Sequence, residues 1–324
     1  MKKLVVGIDL GGTNIRGTLS DDDGNFMASF RESADFSSRE GMVNQIIGGI
    51  LSLCKSARVS LSSVAGVGIA STGPLNIKTG KLVRPTNIPF SEVNLVRPIR
   101  TRLGVQVTLL NDCTAAVLGE REFGAGKRYD NLVYITIGTG IGGGAIVDGH
   151  LLLGKDGNAV EIGHVVVDPD GRMKCGCGKA GHWEAYCSGK NIPKYVRARV
   201  DENPQIPKGS HLKRSMERGS FEAPAFFEAV RAGDPHAKSI LDEISRFNAI
   251  GVADVINAYD PSLITMGGSV VLRDEDLVID PIVKTVRDYT RNRIPRIKVS
   301  PLGDDIGLYG AVASVLHRDE ILGG

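Results

Sequence analysis

Short apolar runs separated by glycine-rich or polar turns make up the first third of the chain. The runs at 4–9, 64–70 and 105–110 predict buried strands, and IRGTLS and FMASFRES on either side of the turn DDDGN predict a hairpin. Apolar residues at helical spacing predict helices over 39–58 and 114–123. The resulting order βββαβα indicates a mixed sheet with helices packed against it.

The opening pattern returns in the middle of the chain. The segment LVVGIDLGGTNIRGTLS at 4–20 resembles LVYITIGTGIGGGAIVD at 132–148, and both have the pattern strand, Gly/Thr-rich turn, strand. This repeat predicts two similar halves, each of which presents a tight glycine loop to a shared cleft. The alternative is that two unrelated glycine-rich hairpins share a common pattern.

The second half is richer in helical patterns. Residues 200–224 are polar and rich in Pro and Gly, which predicts a surface excursion, and helices are expected over 225–232, 235–259 and 276–291. Within this run PSLITMGGSVV predicts a strand that ends at a Gly-Gly turn, and DIGLYGAVASVLHRD predicts a terminal helix.

Composition narrows the possible functions. The chain has 324 residues and a formal net charge of +2, which gives no electrostatic reason to expect nucleic acid or an anionic membrane as a partner. The N-terminal apolar stretch is too short for a signal peptide, and no apolar run is long enough for a membrane span. Five sparse cysteines fit a reduced, cytoplasmic environment better than a disulfide scaffold.

The glycine-rich turns are typical of phosphate binding, because glycine lets backbone N–H groups approach an anion. GTNIRGT at 12–18 has the glycine spacing of a Walker loop but lacks its lysine. GTGIGG at 138–143 is followed by a hairpin, not by the helix that a dinucleotide-binding loop opens. Between the two turns, Asn111 and Asp112 end a buried strand before a helix. The residue pattern alone makes Asp112 either a general base or an N-cap.

The motifs in combination resemble one family. GIDLGGTNIRG, LNDCTAAVLGE, GTGIGGG, EIGH and CGCGKAGHWEAYCSG occur in the order found in the ROK family of sugar kinases and related repressors, within the actin/hexokinase/Hsp70 ATPase superfamily. The resemblance implies an α/β fold of two ribonuclease-H-like (actin-like ATPase) domains flanking a cleft, with mixed sheets and helices on both faces. We expect an N-terminal domain over 1–115, on which the C-terminal helix at about 306–324 packs, and a C-terminal domain over 116–305.

The resemblance also implies an ATP site built on three glycine turns. Asp9 is expected to hold Mg²⁺ through water, or alternatively to fix the first hairpin. The first phosphate loop corresponds to Gly11, Gly12, Thr13 and Asn14. The second corresponds to Gly138, Thr139, Gly140 and Gly142. The adenosine-side turn corresponds to Gly267 and Gly268.

For the sugar, the resemblance makes Asp112 the catalytic base and Asn111 a partner of a sugar hydroxyl. A helix is expected to place Glu161 and His164 on one face. The remaining positions that match sugar contacts of the family are Gly73 in the STGP turn, Asn87, Glu161, His164 and Glu184.

The C-x-C pair in CGCGKAGHWEAYCSG differs from the C-x-x-C of redox proteins, and the ROK pattern of ligands implies a zinc site instead. The ligands would be His164, Cys175, Cys177 and His182, where the family has a cysteine in the last position. Zinc accepts imidazole as well as thiolate, so a His₂Cys₂ site is expected, with His164 able to use its second ring nitrogen toward the sugar. Cys187 is expected to be buried and to point away. The alternative is that the metal has been lost.

The activity implied is phosphorylation of the 6-hydroxyl of a hexose by an ATP-dependent kinase, with ATP, Mg²⁺ and a structural Zn²⁺. Glucose is the first expected substrate, and N-acetylmannosamine or another hexose is the alternative. The family also includes sugar-responsive repressors, which carry a helix-turn-helix domain ahead of the kinase-like part, whereas only three residues precede the first strand here. We therefore expect a cytoplasmic kinase that binds hexose and ATP and forms a homodimer or homotetramer.

Overall fold

The structure, a computed structural model, describes residues 2–322 except 86, 204 and 218. The chain forms two compact units. Unit 1 comprises Met1–Tyr134, Gly144–Val160 and Ser300–Gly324, and unit 2 comprises Ile135–Gly143 and Glu161–Val299. None of the helices in the described part of the chain combines the length and the apolar composition needed to cross a membrane.

The first part of the chain builds the sheet and helices of unit 1. Its elements are β1 (Leu4–Leu10), β2 (Asn14–Asp21), β3 (Phe26–Ser33), α1 (Arg39–Ser56), β4 (Val64–Ser71), β5 (Leu75–Asn76), β6 (Lys81–Val83), β7 (Glu92–Asn94), α2 (Val96–Leu103), β8 (Val107–Asn111) and α3 (Asp112–Glu122). The main sheet has the order β3-β2-β1-β4-β8, in which β1 is antiparallel to β2 and parallel to β4, and β4 is parallel to β8. The predicted mixed sheet is therefore confirmed.

Along the chain, a small antiparallel sheet, β5-β6-β7, and helix α2 follow β4 and precede β8. The sequence prediction missed both the sheet and the helix. The strands of this sheet have two or three residues each, too few to show an alternating pattern. Helix α2 has only eight residues and is rich in arginine, so its apolar stripe of Val96, Ile99 and Leu103 is too short to stand out in the sequence.

The rest of the chain contains β9 (Leu132–Ile137), β10 (Ile141–Val147), β11 (His150–Leu151), α4 (Glu184–Cys187), α5 (Ile192–Glu202), α6 (His211–Glu217), α7 (Ala223–Arg231), α8 (Pro235–Tyr259), β12 (Leu263–Gly267), α9 (Ser269–Arg273), α10 (Glu275–Thr285), β13 (Arg296–Val299), α11 (Ile306–Leu316) and α12 (Arg318–Leu322). The second sheet has the order β11-β10-β9-β12-β13. Strands β9 and β10 flank a glycine turn as β1 and β2 do, which is the repeat seen in the sequence.

Helix α11 packs on the main sheet of unit 1 at very short range. A Cβ on Gly68 of β4 would lie 1.8 Å from the carbonyl oxygen of Ala311, and a Cβ on Gly310 would lie 2.3 Å from that of Ala115 in α3. Only glycine permits backbones to approach this closely. Because α11 and α3 pack together, all of α3 belongs to unit 1, whereas the sequence prediction began its second domain at residue 116.

Candidate active site

Three parallel strands of unit 1 end side by side. The backbone register aligns Leu10 of β1 with Ser71 of β4, and Ser71 with Asn111 of β8. The carboxyl ends of parallel strands form the usual ligand-binding edge of an α/β sheet. The segments that follow these three residues are the first glycine turn, the STGP turn and Asp112, so one edge of the sheet carries them together.

Asp9 lies one residue before the end of β1 and forms an ion pair with Arg16 of β2. Its Oδ2 accepts hydrogen bonds from Nη2 of Arg16 at 2.5 Å and from Nε at 3.1 Å. A Cβ on Gly307 of α11 would lie 2.8 Å from the same carboxylate. Asp9 therefore fixes the β1–β2 hairpin, which was the alternative role expected for it. Its contact with Mg²⁺ stays a prediction.

The first glycine turn, Gly11–Asn14, is closed by a hydrogen bond from the N–H of Gly11 to the carbonyl of Asn14 at 3.0 Å. A Cβ on Gly12 would lie 2.5 Å from the Cβ of Asn87. The absence of a side chain at Gly12 thus allows the exposed Asn87 to lie against the turn. The structure brings together a predicted phosphate loop and a predicted sugar contact within unit 1.

Asn111, and not Asp112, caps helix α3. The Oδ1 of Asn111 accepts hydrogen bonds from the N–H groups of Cys113 at 2.9 Å and Thr114 at 3.3 Å. Asp112 is the first residue of the helix and is half-buried, and its Oδ1 accepts a hydrogen bond from the N–H of Cys113 at 2.8 Å. The capping role that was the alternative for Asp112 is thus performed by its neighbour.

Asn158 clamps the STGP turn, and sequence reasoning missed it. Its Oδ1 accepts from the N–H of Leu75 at 2.9 Å, and its Nδ2 donates to the carbonyl of Leu75 at 2.7 Å. A Cβ on Gly73 would lie 3.3 Å from Nδ2 of Asn111 and 3.4 Å from Oδ1 of Asn158. Gly73 therefore lies directly beside the amide that the sequence had assigned to the sugar.

In unit 2 the second and third glycine turns lie against each other. A Cβ on Gly138 would be 3.7 Å from the Cα of Gly268, and a Cβ on Gly268 would be 2.5 Å from Oγ1 of Thr136 in β9. Gly268 has a φ of 88°, a left-handed conformation that favours glycine, and it follows Gly267 at the end of β12. The two turns predicted to bind the nucleotide are therefore adjacent.

The remaining residues of the second turn differ in their surroundings. Thr139 is exposed and Gly140 is half-buried, while Gly142 lies within β10 and not in the turn itself. The turn is held from the segment after α4, because the N–H of Gly189 donates to the carbonyl of Gly138 at 2.7 Å and that of Lys190 donates to the carbonyl of Thr139 at 3.3 Å. Lys190 is an exposed cation that the sequence analysis did not single out.

The residues predicted to bind zinc form one cluster in unit 2. The candidate ligand atoms of His164, Cys175, Cys177 and His182 all lie within 4.8 Å of one another. Nδ1 of His164 is 3.8 Å from Sγ of Cys175, and Nδ1 of His182 is 3.3 Å from Sγ of Cys177. Tetrahedral zinc with bonds of about 2.0–2.3 Å has ligand atoms about 3.3–3.8 Å apart, the range in which these two pairs lie, and the number and type of the four groups fit that ion.

Comparison with known proteins decides the family, because residues 5–318 match the ROK family. The chain belongs to the ROK family. The glucokinase of Pyrobaculum calidifontis is 35% identical over 322 residues, which cover 98% of this chain and 96% of that protein.

Solved structures of the ROK family give the same result. A ROK family glucokinase from Streptomyces griseus, in complex with glucose and AMPPNP, is 34% identical with a TM-score of 0.76 and covers 95% of this chain and 98% of its own. The ROK hexokinase from Thermus thermophilus is 28% identical with a TM-score of 0.82, over 100% of both chains. The family and the fold class expected from the sequence are confirmed.

Electrostatics within the cysteine cluster favour metal binding by His182 and oppose it at Cys175, whose thiol must first lose its proton. Burial, followed by the adjacent Glu184 carboxylate, raises the pKa of the Cys175 thiol to about 12, so a cation that binds there displaces a proton. Burial and the neighbouring His164 lower the pKa of His182, which keeps that imidazole neutral near pH 7. A neutral imidazole is the form that binds zinc. Cys187 is buried with its thiol directed to the carbonyl of Ile244, as predicted.

His164 ends a short 3₁₀ helix, Ile162–His164, which Glu161 directly precedes, and the expected α-helix is absent from this described segment. The two side chains still meet, with Nε2 of His164 3.8 Å from Oε2 of Glu161. Partial removal from water raises the pKa of Glu161, the charge of His164 lowers it and that of Glu184 raises it. His164 therefore presents Nδ1 to the cysteine cluster and Nε2 to the Glu161 carboxylate.

Proposed function

We propose that this chain is an ATP-dependent hexose kinase that phosphorylates the 6-hydroxyl of glucose, with Asp112 as the general base. One observation carries the residue assignment: Asn111 caps α3, and Asp112 stands beside it at the carboxyl end of β8. The glucokinases among its ROK relatives support glucose as the substrate and ATP as the phosphoryl donor.

In the proposed reaction, Asp112 accepts the proton of the 6-hydroxyl as its oxygen attacks the γ-phosphorus of ATP. The new O–P bond forms while the bond between the γ-phosphorus and the β,γ-bridging oxygen breaks, and ADP leaves. The products are the hexose 6-phosphate and ADP. Mg²⁺ bound with the nucleotide would neutralise phosphate charge, and Asp9 is the residue proposed to hold it through water.

Backbone N–H groups of the two phosphate loops and the adenosine-side turn are proposed to bind ATP. The proximity of Gly138 and Gly268 supports this role, because two of the turns assigned to the nucleotide lie side by side. The residues proposed to bind ATP are Gly11, Gly12, Thr13, Asn14, Gly138, Thr139, Gly140, Gly142, Gly267 and Gly268.

Several polar side chains are proposed to contact the hexose. Hydroxyl groups need directional donors and acceptors, and carboxylates, amides and imidazole supply them. The proposed contacts are Asn87, Asn111, Glu161, His164 and Glu184, with Gly73 allowing close approach.

A structural zinc at His164, Cys175, Cys177 and His182 is part of the proposal. The fit of the four ligand atoms supports it. Such an ion would fix the turn that carries Glu161 and His164 and the start of α4, and it would take no part in phosphoryl transfer. Two thiolates and two neutral imidazoles would leave the occupied site without net charge.

An assay of ATP consumption across hexoses and 2-acetamido sugars tests the function. The panel comprises glucose, fructose, allose, N-acetylglucosamine and N-acetylmannosamine. Glucose is expected to give the highest kcat/KM, and ³¹P NMR is expected to identify glucose 6-phosphate. A higher kcat/KM for N-acetylmannosamine would replace glucose as the substrate, and no ATP-dependent turnover of any sugar would reject the kinase assignment.

A further inference from the structure

The carboxylate of Glu184 lies between the second glycine turn and the cysteine cluster, and it contacts both. Its Oε2 accepts a hydrogen bond from the N–H of Ile141 at 2.9 Å. Its Oε1 accepts one from Sγ of Cys175 at 3.3 Å. A Cβ on Gly140 would lie 2.6 Å from Oε2, so the glycine at this position leaves the space that the carboxylate occupies.

The turn itself depends on few contacts. Its own backbone provides a hydrogen bond from the N–H of Gly138 to the carbonyl of Gly140 at 2.9 Å. The N–H groups of Gly189 and Lys190 hold the carbonyls on one side, as described above. Glu184 supplies a negatively charged acceptor at the opposite end of the turn, at Ile141, and hydrogen bonds to charged groups are stronger than those between neutral groups.

The segment that carries Glu184 is anchored at its other end. Trp183 is fully buried, and its Nε1 donates to Oδ1 of Asn248 at 2.8 Å. The N–H of Trp183 donates to the carbonyl of Val165, one residue after His164. His182 precedes this tryptophan directly. A cation held by His164 and His182 therefore restrains the backbone that leads into Glu184, and this link persists when zinc displaces the thiol proton of Cys175.

We propose that Glu184 is a positioning residue that couples the cysteine cluster to the second phosphate loop, so that a metal ion at the cluster tightens nucleotide binding even without sugar. This inference rests on the proposed zinc site and on the proposed role of residues 138–142 in ATP binding. Glu184 would have this role in addition to its proposed sugar contact. The two roles can be told apart, because substitution of a residue that only contacts sugar leaves nucleotide affinity unchanged in sugar-free protein.

Amide hydrogen exchange at Ile141 tests the coupling without any assay of activity. Wild type, Glu184→Ala and Glu184→Gln are stripped of metal with a chelator and measured before and after addition of ZnCl₂. In wild type, zinc is expected to slow exchange of the Ile141 amide. In Glu184→Ala exchange is expected to be fast and insensitive to zinc. In Glu184→Gln, whose side-chain oxygen still accepts from Ile141, exchange is expected to be intermediate.

Calorimetric titration of the same samples with a non-hydrolysable ATP analogue, in the absence of sugar, gives the second readout. Glu184→Ala is expected to bind the analogue about 10-fold more weakly, the effect of losing one charge-assisted hydrogen bond. Zinc is expected to tighten binding to wild type and not to Glu184→Ala. Glu228→Gln, which removes an exposed carboxylate on α7, serves as the matched control and is expected to behave as wild type.

The outcomes separate this inference from the function on which it rests. The coupling is overturned if zinc does not change the exchange rate of the Ile141 amide in wild type. It is also overturned if zinc changes that rate equally in wild type and Glu184→Ala. A second outcome is that zinc slows Ile141 exchange only when Glu184 is present, but the protein has no affinity for the ATP analogue. That outcome would support the link between cluster and turn, and it would overturn both the role of this link in nucleotide binding and the kinase assignment.

Discussion

Arg16 and Asp9 face each other across β1 and β2, with Nη2 of the guanidinium 2.5 Å from Oδ2 of the carboxylate. Both side chains are about four-fifths buried, with 21% and 18% of their surfaces exposed. The pair closes the hairpin that carries the first glycine turn. Nη1 of Arg16 also lies 3.4 Å from Oδ1 of the more exposed Asp305, so substitution of Arg16 leaves the partly buried Asp9 carboxylate without this ion pair, whereas substitution of Asp9 leaves Arg16 with Asp305.

Arg16→Ala is expected to lower the free energy of unfolding by about 1–3 kcal/mol, because a hydrogen-bonded charged pair is lost. Arg16→Lys keeps the charge but not the two-nitrogen contact, so an intermediate loss is expected. Urea denaturation measures both. Arg100→Ala, an exposed arginine on α2, is the control and should change stability by no more than about 0.5 kcal/mol. Equal stability of Arg16→Ala and wild type would show that the pair does not hold the hairpin.

Because Asn111 caps α3 and Asp112 does not, substitutions of these two neighbours are expected to change stability by different amounts. Asn111→Ala removes the acceptor of two helix N–H groups and is expected to cost about 0.5–2 kcal/mol of stability. Asp112→Asn leaves that cap in place and is expected to change stability by no more than about 0.5 kcal/mol. Thermal unfolding distinguishes them. A larger loss for Asp112→Asn than for Asn111→Ala would make Asp112 the structural residue.

The sequence was informative where a feature is local. Continuous apolar runs indicated β1, β4 and β8, whose parallel ends carry Asp112, and the spacing of His164, Cys175, Cys177 and His182 indicated their cluster. Contacts between distant segments could not be predicted, because they depend on how elements pack. The clamp of Asn158 on Leu75 spans 83 positions, and the bond of Glu184 to Ile141 spans 43. No periodicity or spacing marks either pair.

His182 stands where the ROK pattern has cysteine, and its substitution tests the zinc proposal. His182→Ala removes one of four ligands and is expected to lower both the zinc content per chain and the melting temperature. His182→Cys supplies thiolate at the same position and is expected to retain about one zinc per chain. Elemental analysis with thermal unfolding measures the two quantities. The zinc site would be contradicted if wild-type protein supplied with zinc contained none after purification. An unchanged zinc content in His182→Ala would contradict it as well.

His317, at the end of α11, lies between two carboxylates. Its Nε2 is 2.8 Å from Oε2 of Glu122 on α3, and its Nδ1 is 3.0 Å from Oε1 of Glu320 on α12. Burial lowers the pKa of His317, but the bonds to Glu320 and Glu122 outweigh it and raise the pKa above its usual range. Arg121 and His150 also act on Glu320, whose pKa is lowered first by its bond to His317.

Because the folded state holds the His317 proton more tightly than the unfolded state, protonation stabilises the fold. This contribution is complete below the unfolded-state pKa of about 6.5 and is lost as pH rises through the higher folded-state pKa. His317→Gln is therefore expected to be less stable than wild type near pH 6, with a difference that shrinks at alkaline pH. Urea denaturation from pH 5.5 to about pH 9 measures it. A difference that is constant over this range would rule out a charged His317.

Single-turnover transfer of the γ-phosphoryl group from ATP to glucose, in wild type and Asp112→Asn, tests the central claim most directly. The account predicts a transfer rate at least about 100-fold lower in Asp112→Asn, the usual effect of losing a general base, with glucose affinity retained. A transfer rate near that of wild type in the Asp112→Asn protein would contradict it.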